Sequence, residues 1–223
     1  MKAAAVIETR ARRIRLILFD VDGVLTDGKI LLHSDGSESK QFDIKDGTGI
    51  VLAQRAGLIV GFLSARMSTP TVQRAAQLGV TLLHQGVASK IETYEQIVDE
   101  LLLEDEQVAY MGDDVVDLAV LDRAGLSAAP ADAVEEVRSR VHWVSRSDGG
   151  KGAARELIEL ILRGQERWGP LVEEYLEQRH GRSVPDTTER GGASAASESG
   201  ARRALDRVAR ESVPDVSPRG VKR

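Results

Sequence analysis

Short apolar, β-favouring runs alternate along this chain with stretches of helical periodicity. The predicted strands cover 14–19, 58–63, 80–83, 107–111, 126–128 and 141–144. The predicted helices cover 48–56, 69–78, 89–103, 115–123, 133–139, 152–162 and 165–179. Strands that alternate with helices are typical of a parallel sheet covered on both faces. The pattern therefore predicts an α/β fold with an open, doubly wound parallel sheet, in which ligands bind at the carboxyl ends of the strands.

The connection after the first strand is longer than the others. It runs from 21 to 47, and a plain connection between a strand and a helix is much shorter. Within it, segments 29–33 and 37–42 flank a turn at 34–36, which predicts a β-hairpin. The gap between 63 and 80 fits one helix, so we expect no inserted cap domain.

The chain divides into one domain and three appendages. We expect an N-terminal extension over 1–12, the α/β domain over 13–165, a C-terminal helix over 166–180 and a disordered tail over 181–223. The tail has no aromatic residue and only one leucine, Leu205, so it has too little apolar surface to offset its chain entropy. A tolerated extension and a partner-binding tail both fit this composition.

The amino-acid composition limits which metals and partners the protein can bind. The 223 residues include no cysteine and only four histidines, which excludes disulfides, iron–sulfur clusters and thiolate zinc sites. Any metal is expected to be a hard, oxygen-ligated cation. The net charge of −5 argues against a nucleic-acid partner. Because no segment has the length and apolarity of a membrane span or a secretory signal, we expect no membrane partner and a cytoplasmic location.

Acidic residues follow two of the predicted strands. Asp20 and Asp22 come directly after the first strand, and Asp113, Asp114 and Asp117 follow the fourth. Acids at the carboxyl end of a buried parallel strand face the ligand crevice, where their charge needs a compensating partner. Asp20, Asp22 and Asp113 are thus candidate ligands for one Mg²⁺ ion. The alternative is that Asp113 and Asp114 only cap the next helix.

An EF-hand, a helix cap and a surface lysine are the alternative interpretations of the polar residues at the strand ends. An EF-hand starting at Asp20 is excluded, because Leu25 stands where that loop needs glycine and Leu31 where it needs glutamate. Ser64 and Lys90 follow the second and third strands. They are candidate donors to a phosphate, although a helix cap and a surface lysine are the simpler readings of each alone.

Together, these residues form a known pattern. In order and spacing they resemble the four motifs of haloacid dehalogenase-superfamily phosphatases, and the hairpin resembles that of the capless branch. Further segments resemble the 3-deoxy-D-manno-octulosonate 8-phosphate (Kdo 8-phosphate) phosphatases, with departures at Thr48 and Ala65. The segments that carry the resemblance are 20–26, 43–50, 64–66, 82–86, 90, 112–114 and 149–156.

The resemblance implies a Mg²⁺-dependent phosphomonoesterase. It implies that Asp20 is the nucleophile that forms an aspartyl-phosphate and that Asp22 is the general acid and base. Mg²⁺ is expected on Asp20, the main-chain carbonyl of Asp22 and Asp113. Ser64 and Lys90 are expected to hold the phosphoryl oxygens.

The resemblance also implies roles for six residues around the nucleophile, the general acid and the phosphate-binding residues. Asp114 is expected to orient Lys90 or a metal-bound water, and Asp117 either does the same or is simply an acid on a helix face. Arg66 and Lys151 are candidates for the sugar carboxylate, and a mobile surface lysine is the alternative for Lys151. Asp46 and Gly47 are also expected on the substrate side.

The resemblance also implies an assembly and a pathway. It implies a homotetramer in which the hairpins meet, and the apolar hairpin residues Ile30, Leu31, Leu32 and Phe42 fit such an assembly unless they pack on their own subunit. The glycines at 149, 150 and 152 are expected to make that loop a mobile lid. The implied product feeds lipopolysaccharide synthesis.

Two other functions compete with this one. A phosphatase for a nine-carbon keto-sugar acid 9-phosphate shares Asp20 and Asp22 and differs in its pocket. A non-catalytic assembly or signalling protein of the receiver type carries its phosphorylated aspartate after the third strand and needs no second acid two residues later. The position of Asp20 and the presence of Asp22 favour the enzyme.

Overall fold

A six-stranded parallel sheet forms the centre of the molecule, as the sequence predicts. The computed structural model describes residues 2–179, so the predicted tail at 181–223 lies outside the described residues. The strands are β1 (Leu16–Phe19), β4 (Ile59–Leu63), β5 (Leu82–His84), β6 (Val108–Met111), β7 (Leu126–Ala129) and β8 (Trp143–Val144), in the order β5-β4-β1-β6-β7-β8. The helices are α1 (Lys2–Ala11), α2 (Ile44–Arg55), α3 (Thr69–Leu78), α4 (Lys90–Glu100), α5 (Leu118–Arg123), α6 (Glu135–Arg138), α7 (Ala153–Gly164) and α8 (Trp168–Arg179).

Alternate residues of the central strand serve two separate cores. Ile17 and Phe19 of β1 pack in one cluster with residues of α2 and α7, such as Ile158. Leu16 and Leu18 pack in the other cluster with residues of α4. The two-residue period of a strand thus places helices on both faces of the sheet, which is the doubly wound arrangement.

The long connection after β1 contains the predicted hairpin. Strands β2 (Leu31–Leu32) and β3 (Glu38–Ser39) pair antiparallel, and the turn between them is closed by Asp35, which accepts hydrogen bonds from the backbone N–H and hydroxyl of Ser37. The paired strands are shorter than the predicted segments. Between residues 2 and 179, no second domain is inserted between the elements of the sheet.

Helix α2 begins four residues before its predicted start at 48. Asp43 caps it by accepting hydrogen bonds from the backbone N–H groups of Lys45 and Asp46. Two glycines in its first turns weaken the helical signal in the sequence. They are needed for close packing, because a Cβ at Gly49 would lie 2.9 Å from the Arg155 side chain.

The segment predicted as an extension before residue 13 is mostly helical. Helix α1 packs along α7, and Ala11 is fully buried in the core that α7 shares with the sheet. The Gln165 side chain also donates hydrogen bonds to the carbonyl groups of Ala11 and Ile14. The start of the chain is therefore packed against the domain.

Candidate active site

Three neighbouring strands end at the predicted site. Asp20 follows β1, Ser64 follows β4, and Asp113 follows β6 after one glycine. Strands β4 and β6 are the two hydrogen-bonded neighbours of β1, so their carboxyl ends lie side by side. Asp20 and Ser64 are both buried. Polar side chains at strand ends are otherwise commonly exposed to solvent.

Lys90 lies between two aspartates. Its Nζ lies 2.8 Å from Oδ1 of Asp20 and 2.5 Å from Oδ1 of Asp117, and its side chain is only 4% exposed. Burial acts to lower the pKa of Lys90, but the two carboxylates outweigh it and raise that pKa above its ordinary value. The lysine therefore remains a cation beside Asp20, and it is not a free surface lysine.

Asp117 is the residue that holds Lys90. Its Oδ1 accepts hydrogen bonds from Lys90 and from the hydroxyl of Tyr110, and its Oδ2 accepts from the backbone N–H groups of Asp113 and Asp114. Asp114 was expected to orient Lys90 or a metal-bound water, and Asp117 to do the same or to be an acid on a helix face. The side chain of Asp114 is exposed and accepts a hydrogen bond from the backbone N–H of Val115. The contact with Lys90 thus falls on the buried acid rather than on the exposed one.

The acidic cluster has the composition of a cation site. One carboxylate oxygen each from Asp20, Asp113 and Asp117 lie within 4.8 Å of one another. Burial, together with repulsion between the acids, raises the pKa values of Asp20 and Asp113 above the ordinary carboxyl value. Oδ1 of Asp113 is buried and has no hydrogen-bond partner. An oxygen-ligated divalent cation would satisfy that atom and relieve the repulsion, so Mg²⁺ fits the residues present.

Donors engage both oxygens of Asp117, and Lys90 pairs with Oδ1 of Asp20, whereas Oδ1 of Asp113 has no partner and is the oxygen most in need of a cation. The glycine at 23 permits this arrangement. Gly23 has a φ of +94°, and a Cβ there would lie 2.0 Å from Oδ2 of Asp113. Only glycine allows the loop after β1 to approach the second acid so closely.

The hairpin contributes two charged residues, Glu38 and Lys40, to a network of ion pairs around Asp22. Nζ of Lys40 lies 2.7 Å from Oδ1 and 3.0 Å from Oδ2 of Asp22. Nε of Arg66 lies 3.6 Å from the same carboxylate, and its guanidinium also pairs with Glu38 at 3.1 Å. Sequence reasoning identified Arg66 but missed Lys40, Glu38 and Tyr110. Glu38 and Lys40 could have been recognised as a pair because they are two residues apart, a spacing that places both side chains on one face of a strand.

Ser64 lies at the expected strand end. Its Oγ accepts a hydrogen bond from the backbone N–H of Arg66, 3.2 Å away, within the loop that follows β4. The hydroxyl proton remains available for a ligand. This loop brings Ser64 and Arg66 to the same edge of the sheet as Asp20 and Asp22.

Two residues expected on the substrate side have internal partners. Asp46 is buried and accepts hydrogen bonds from the backbone N–H groups of Gly152 and Arg155, where α7 begins. Burial raises the pKa of Asp46 to about 6. Gly47 faces Arg74, whose guanidinium would lie 2.2 Å from a Cβ at that position. Both residues therefore join helices α2, α3 and α7, and the structure gives neither a place in the acidic cluster.

The glycine loop before α7 packs tightly against the loop after β1. A Cβ at Gly149 would lie 1.8 Å from the carbonyl oxygen of Gly23, and the backbone N–H of Gly150 donates to Val24. These glycines thus permit close contact between the two loops. The sequence had instead suggested that they make the loop a mobile lid. Lys151 in this loop is exposed and pairs with Asp148 at 3.1 Å.

The sheet, the hairpin and the carboxylate cluster define a phosphoryl-transfer hydrolase of the haloacid dehalogenase type. The family model for haloacid dehalogenase-like hydrolases matches residues 59–157. The chain is 40% identical over 158 residues to the Kdo 8-phosphate phosphatase KdsC of Yersinia pestis, covering 71% of this chain and 84% of that protein. It is 36% identical over 181 residues to KdsC of Escherichia coli BL21-DE3, covering 81% and 92%.

A solved structure agrees with these relatives. The Kdo 8-phosphate phosphatase of Moraxella catarrhalis, in complex with magnesium, phosphate and KDO, superposes with a TM-score of 0.74 at 32% identity, covering 76% of this chain and 97% of that one. The chain belongs to the Kdo 8-phosphate phosphatase family of haloacid dehalogenase-like hydrolases. Separately, no helix in the described range 2–179 is long and apolar enough to cross a membrane.

Proposed function

We propose that this protein is a Mg²⁺-dependent phosphomonoesterase that hydrolyses Kdo 8-phosphate to Kdo and phosphate. The observation that carries the proposal is the buried arrangement in which Lys90 bridges Asp20 and Asp117 beside Asp113. A buried acid next to a fixed cation and an oxygen-ligand cation site suits attack on a dianionic phosphate. The choice of Kdo 8-phosphate as the substrate follows from the similarity to the Kdo 8-phosphate phosphatases described above.

Asp20 acts first, as the nucleophile. One of its carboxylate oxygens forms a bond to phosphorus while the bond from phosphorus to the sugar oxygen breaks. The departing oxygen takes the bonding electron pair and receives a proton from the carboxyl group of Asp22. Lys90 and Ser64 are proposed to hold the phosphoryl oxygens as charge builds on them, and the pairing of Lys90 with Asp20 at 2.8 Å supports this role for the lysine.

Asp22 then acts as the base. It removes a proton from water, whose oxygen bonds to phosphorus while the bond to Asp20 breaks. This step restores both carboxyl groups and releases phosphate. Asp20, the main-chain carbonyl of Asp22 and Asp113 would hold Mg²⁺. When bound, the cation neutralises charge on the acids and the phosphate and so permits their approach.

The sugar carboxylate is proposed to bind Arg66, with Lys151 assisting. The Arg66 side chain is half exposed beside Asp22, so it has room for a ligand. A guanidinium binds carboxylates in two-point fashion. Lys151 extends from the loop that packs on the loop after β1, which leads to the same edge of the sheet.

We also propose a homotetramer in which hairpins of neighbouring chains meet, and a cytoplasmic location. Leu31 and Leu32 are 63% and 72% exposed in the single chain, so they do not pack on their own subunit. Phe42, by contrast, packs against the chain's own core. Light scattering tests the assembly: a tetramer mass that falls on Leu32→Glu supports it, and a wild-type monomer contradicts it. Cell fractionation tests the location.

Phosphate release with Mg²⁺ tests the function. We expect clear preference for Kdo 8-phosphate over a nine-carbon keto-sugar acid 9-phosphate, and loss of turnover with EDTA or in Asp20→Asn. Preference for the nine-carbon compound would retain the chemistry and reject the substrate. Turnover in Asp20→Asn equal to that of the wild type would reject the chemistry.

A further inference from the structure

Lys40 is a buried cation that lies against the acid Asp22. Its side chain is 0% exposed, although lysine at a hairpin is ordinarily in solvent. Its Nζ contacts both oxygens of the Asp22 carboxylate, at 2.7 and 3.0 Å. Taking an ammonium group out of water is costly unless it is closely paired. The hairpin therefore holds this charge against the carboxyl group of Asp22 at 2.7 Å, with Glu38 farther away at 4.0 Å.

The network of ion pairs around Lys40 and Asp22 connects three segments of the chain. Asp22 comes from the loop after β1, Glu38 and Lys40 from the hairpin, and Arg66 from the loop after β4. Arg66 is shared between Glu38 and Asp22 and is half exposed, whereas Lys40 is fully enclosed. Lys40 is thus the contact that fixes the direction of the Asp22 carboxyl group.

We propose that Lys40 is a positioning residue for Asp22: it orients the carboxyl group that protonates the departing sugar oxygen, so the hairpin forms part of the proton-transfer machinery. The inference rests on the proposed function, because it requires Asp22 to be the acid. Among the described residues Lys40 pairs with Asp22 and, at 4.0 Å, with Glu38, whereas Asp20 is paired with Lys90, so loss of Lys40 leaves the partner of the nucleophile in place.

This role predicts a dependence on the leaving group. A sugar alkoxide needs a proton as it departs, whereas p-nitrophenolate leaves as a stable anion. The value of kcat/KM reports steps up to the first departure, and it is measured with Kdo 8-phosphate and with p-nitrophenyl phosphate. In Lys40→Met we expect kcat/KM to fall at least about tenfold for the sugar phosphate and about twofold or less for the aryl phosphate, a part of the full general-acid contribution.

Matched variants separate positioning from folding. Lys29→Met changes an exposed hairpin lysine and is expected to leave both values unchanged. In an Asp22→Asn background, Lys40→Met is expected to have no further effect on the sugar phosphate, because a residue that acts through Asp22 has nothing left to position. If Lys40→Met does not fold, Lys40→Gln, which keeps a donor without the charge, replaces it in the same comparison.

The results separate the positioning role of Lys40 from the assignment of Asp22 as the general acid. Equal losses with both substrates, or additive losses in the Asp22→Asn background, overturn the role of Lys40. An Asp22→Asn variant that shows no dependence on the leaving group overturns the assignment of Asp22 in the proposed function. A greater loss with the sugar phosphate that disappears in the double variant supports the proposal.

Discussion

Replacing Asp117 by asparagine tests how Lys90, the lysine proposed to bind phosphate, is held. The wild-type carboxylate accepts four hydrogen bonds, two on each oxygen. Asparagine has one oxygen. If that oxygen keeps the two backbone N–H groups, the amide NH₂ group faces Lys90, which can only donate, and the hydroxyl of Tyr110, which can turn to accept.

The size of the effect follows from these bonds. The variant loses the charge-assisted hydrogen bond from Lys90 and exchanges the charge-assisted one from Tyr110 for a neutral one, about 3 kcal/mol together. Removing a charge that repels Asp20 and Asp113 offsets part of this, so the free energy of unfolding is expected to fall by about 2 kcal/mol. Lys90 is no longer fixed, and loss of one preorganised donor predicts a fall of about 100-fold in kcat.

Asp114→Asn is the matched control, since Asp114 is a neighbouring acid that is exposed. Its stability is expected to change by about 0.5 kcal/mol or less, with little change in kcat. Steady-state phosphate release and urea unfolding measure both variants, and Mg²⁺ titration of the activity checks that Asp117→Asn does not act by losing a metal ligand. Wild-type kcat in Asp117→Asn, or equal losses in the two variants, would refute the reasoning.

Three further predictions concern the loops, a buried acid and the metal. Gly149→Ala is expected to lose stability and activity because its Cβ meets the Gly23 carbonyl, whereas Gly169→Ala, with nothing within 4 Å, is neutral; equal melting temperatures of the two variants would contradict this. The pKa of about 6 for Asp46 lies above its ordinary 3.8, so between about pH 4 and 6 the folded state holds a proton that the unfolded chain has lost, and this group costs stability as the pH rises. Relative to wild type, Asp46→Asn should therefore gain up to about 3 kcal/mol between pH 4 and 6 in urea unfolding, and a constant difference would be evidence against the assignment. Asp113→Asn should stabilise the metal-free protein by about 1–3 kcal/mol and abolish stabilisation by Mg²⁺, and calorimetry that finds Mg²⁺ stabilisation intact in the variant would exclude Asp113 as a ligand.

The sequence predicted the sheet and its active edge because both depend on local patterns. Apolar runs mark the strands, and acids directly after a strand must lie at its carboxyl end. On this basis the sequence predicted that Asp20 and Asp113 converge, and in the structure they follow the neighbouring strands β1 and β6. The same patterns predicted a helix start at 48 rather than 44, since glycines that serve packing against distant side chains look like helix breakers in the sequence.

What the sequence left open depends on contacts between distant segments. Asp114 and Asp117 are equivalent as acids near a helix start, and only the approach of Lys90 and Tyr110 distinguishes them. Lys40 is likewise an ordinary hairpin lysine until the hairpin packs against Asp22. Asp46 is an acid in a motif, and its partners lie more than 100 positions away.

The stereochemical course at phosphorus tests the two-step chemistry most directly. The phosphorothioate analogue of Kdo 8-phosphate, made chiral at phosphorus with two oxygen isotopes, is hydrolysed in water of the third isotope, and the configuration of the released thiophosphate is determined. Attack by Asp20 followed by attack of water inverts phosphorus twice, so the account predicts overall retention. Overall inversion would mean that water attacks the substrate directly, and it would contradict the assignment of Asp20 as the nucleophile.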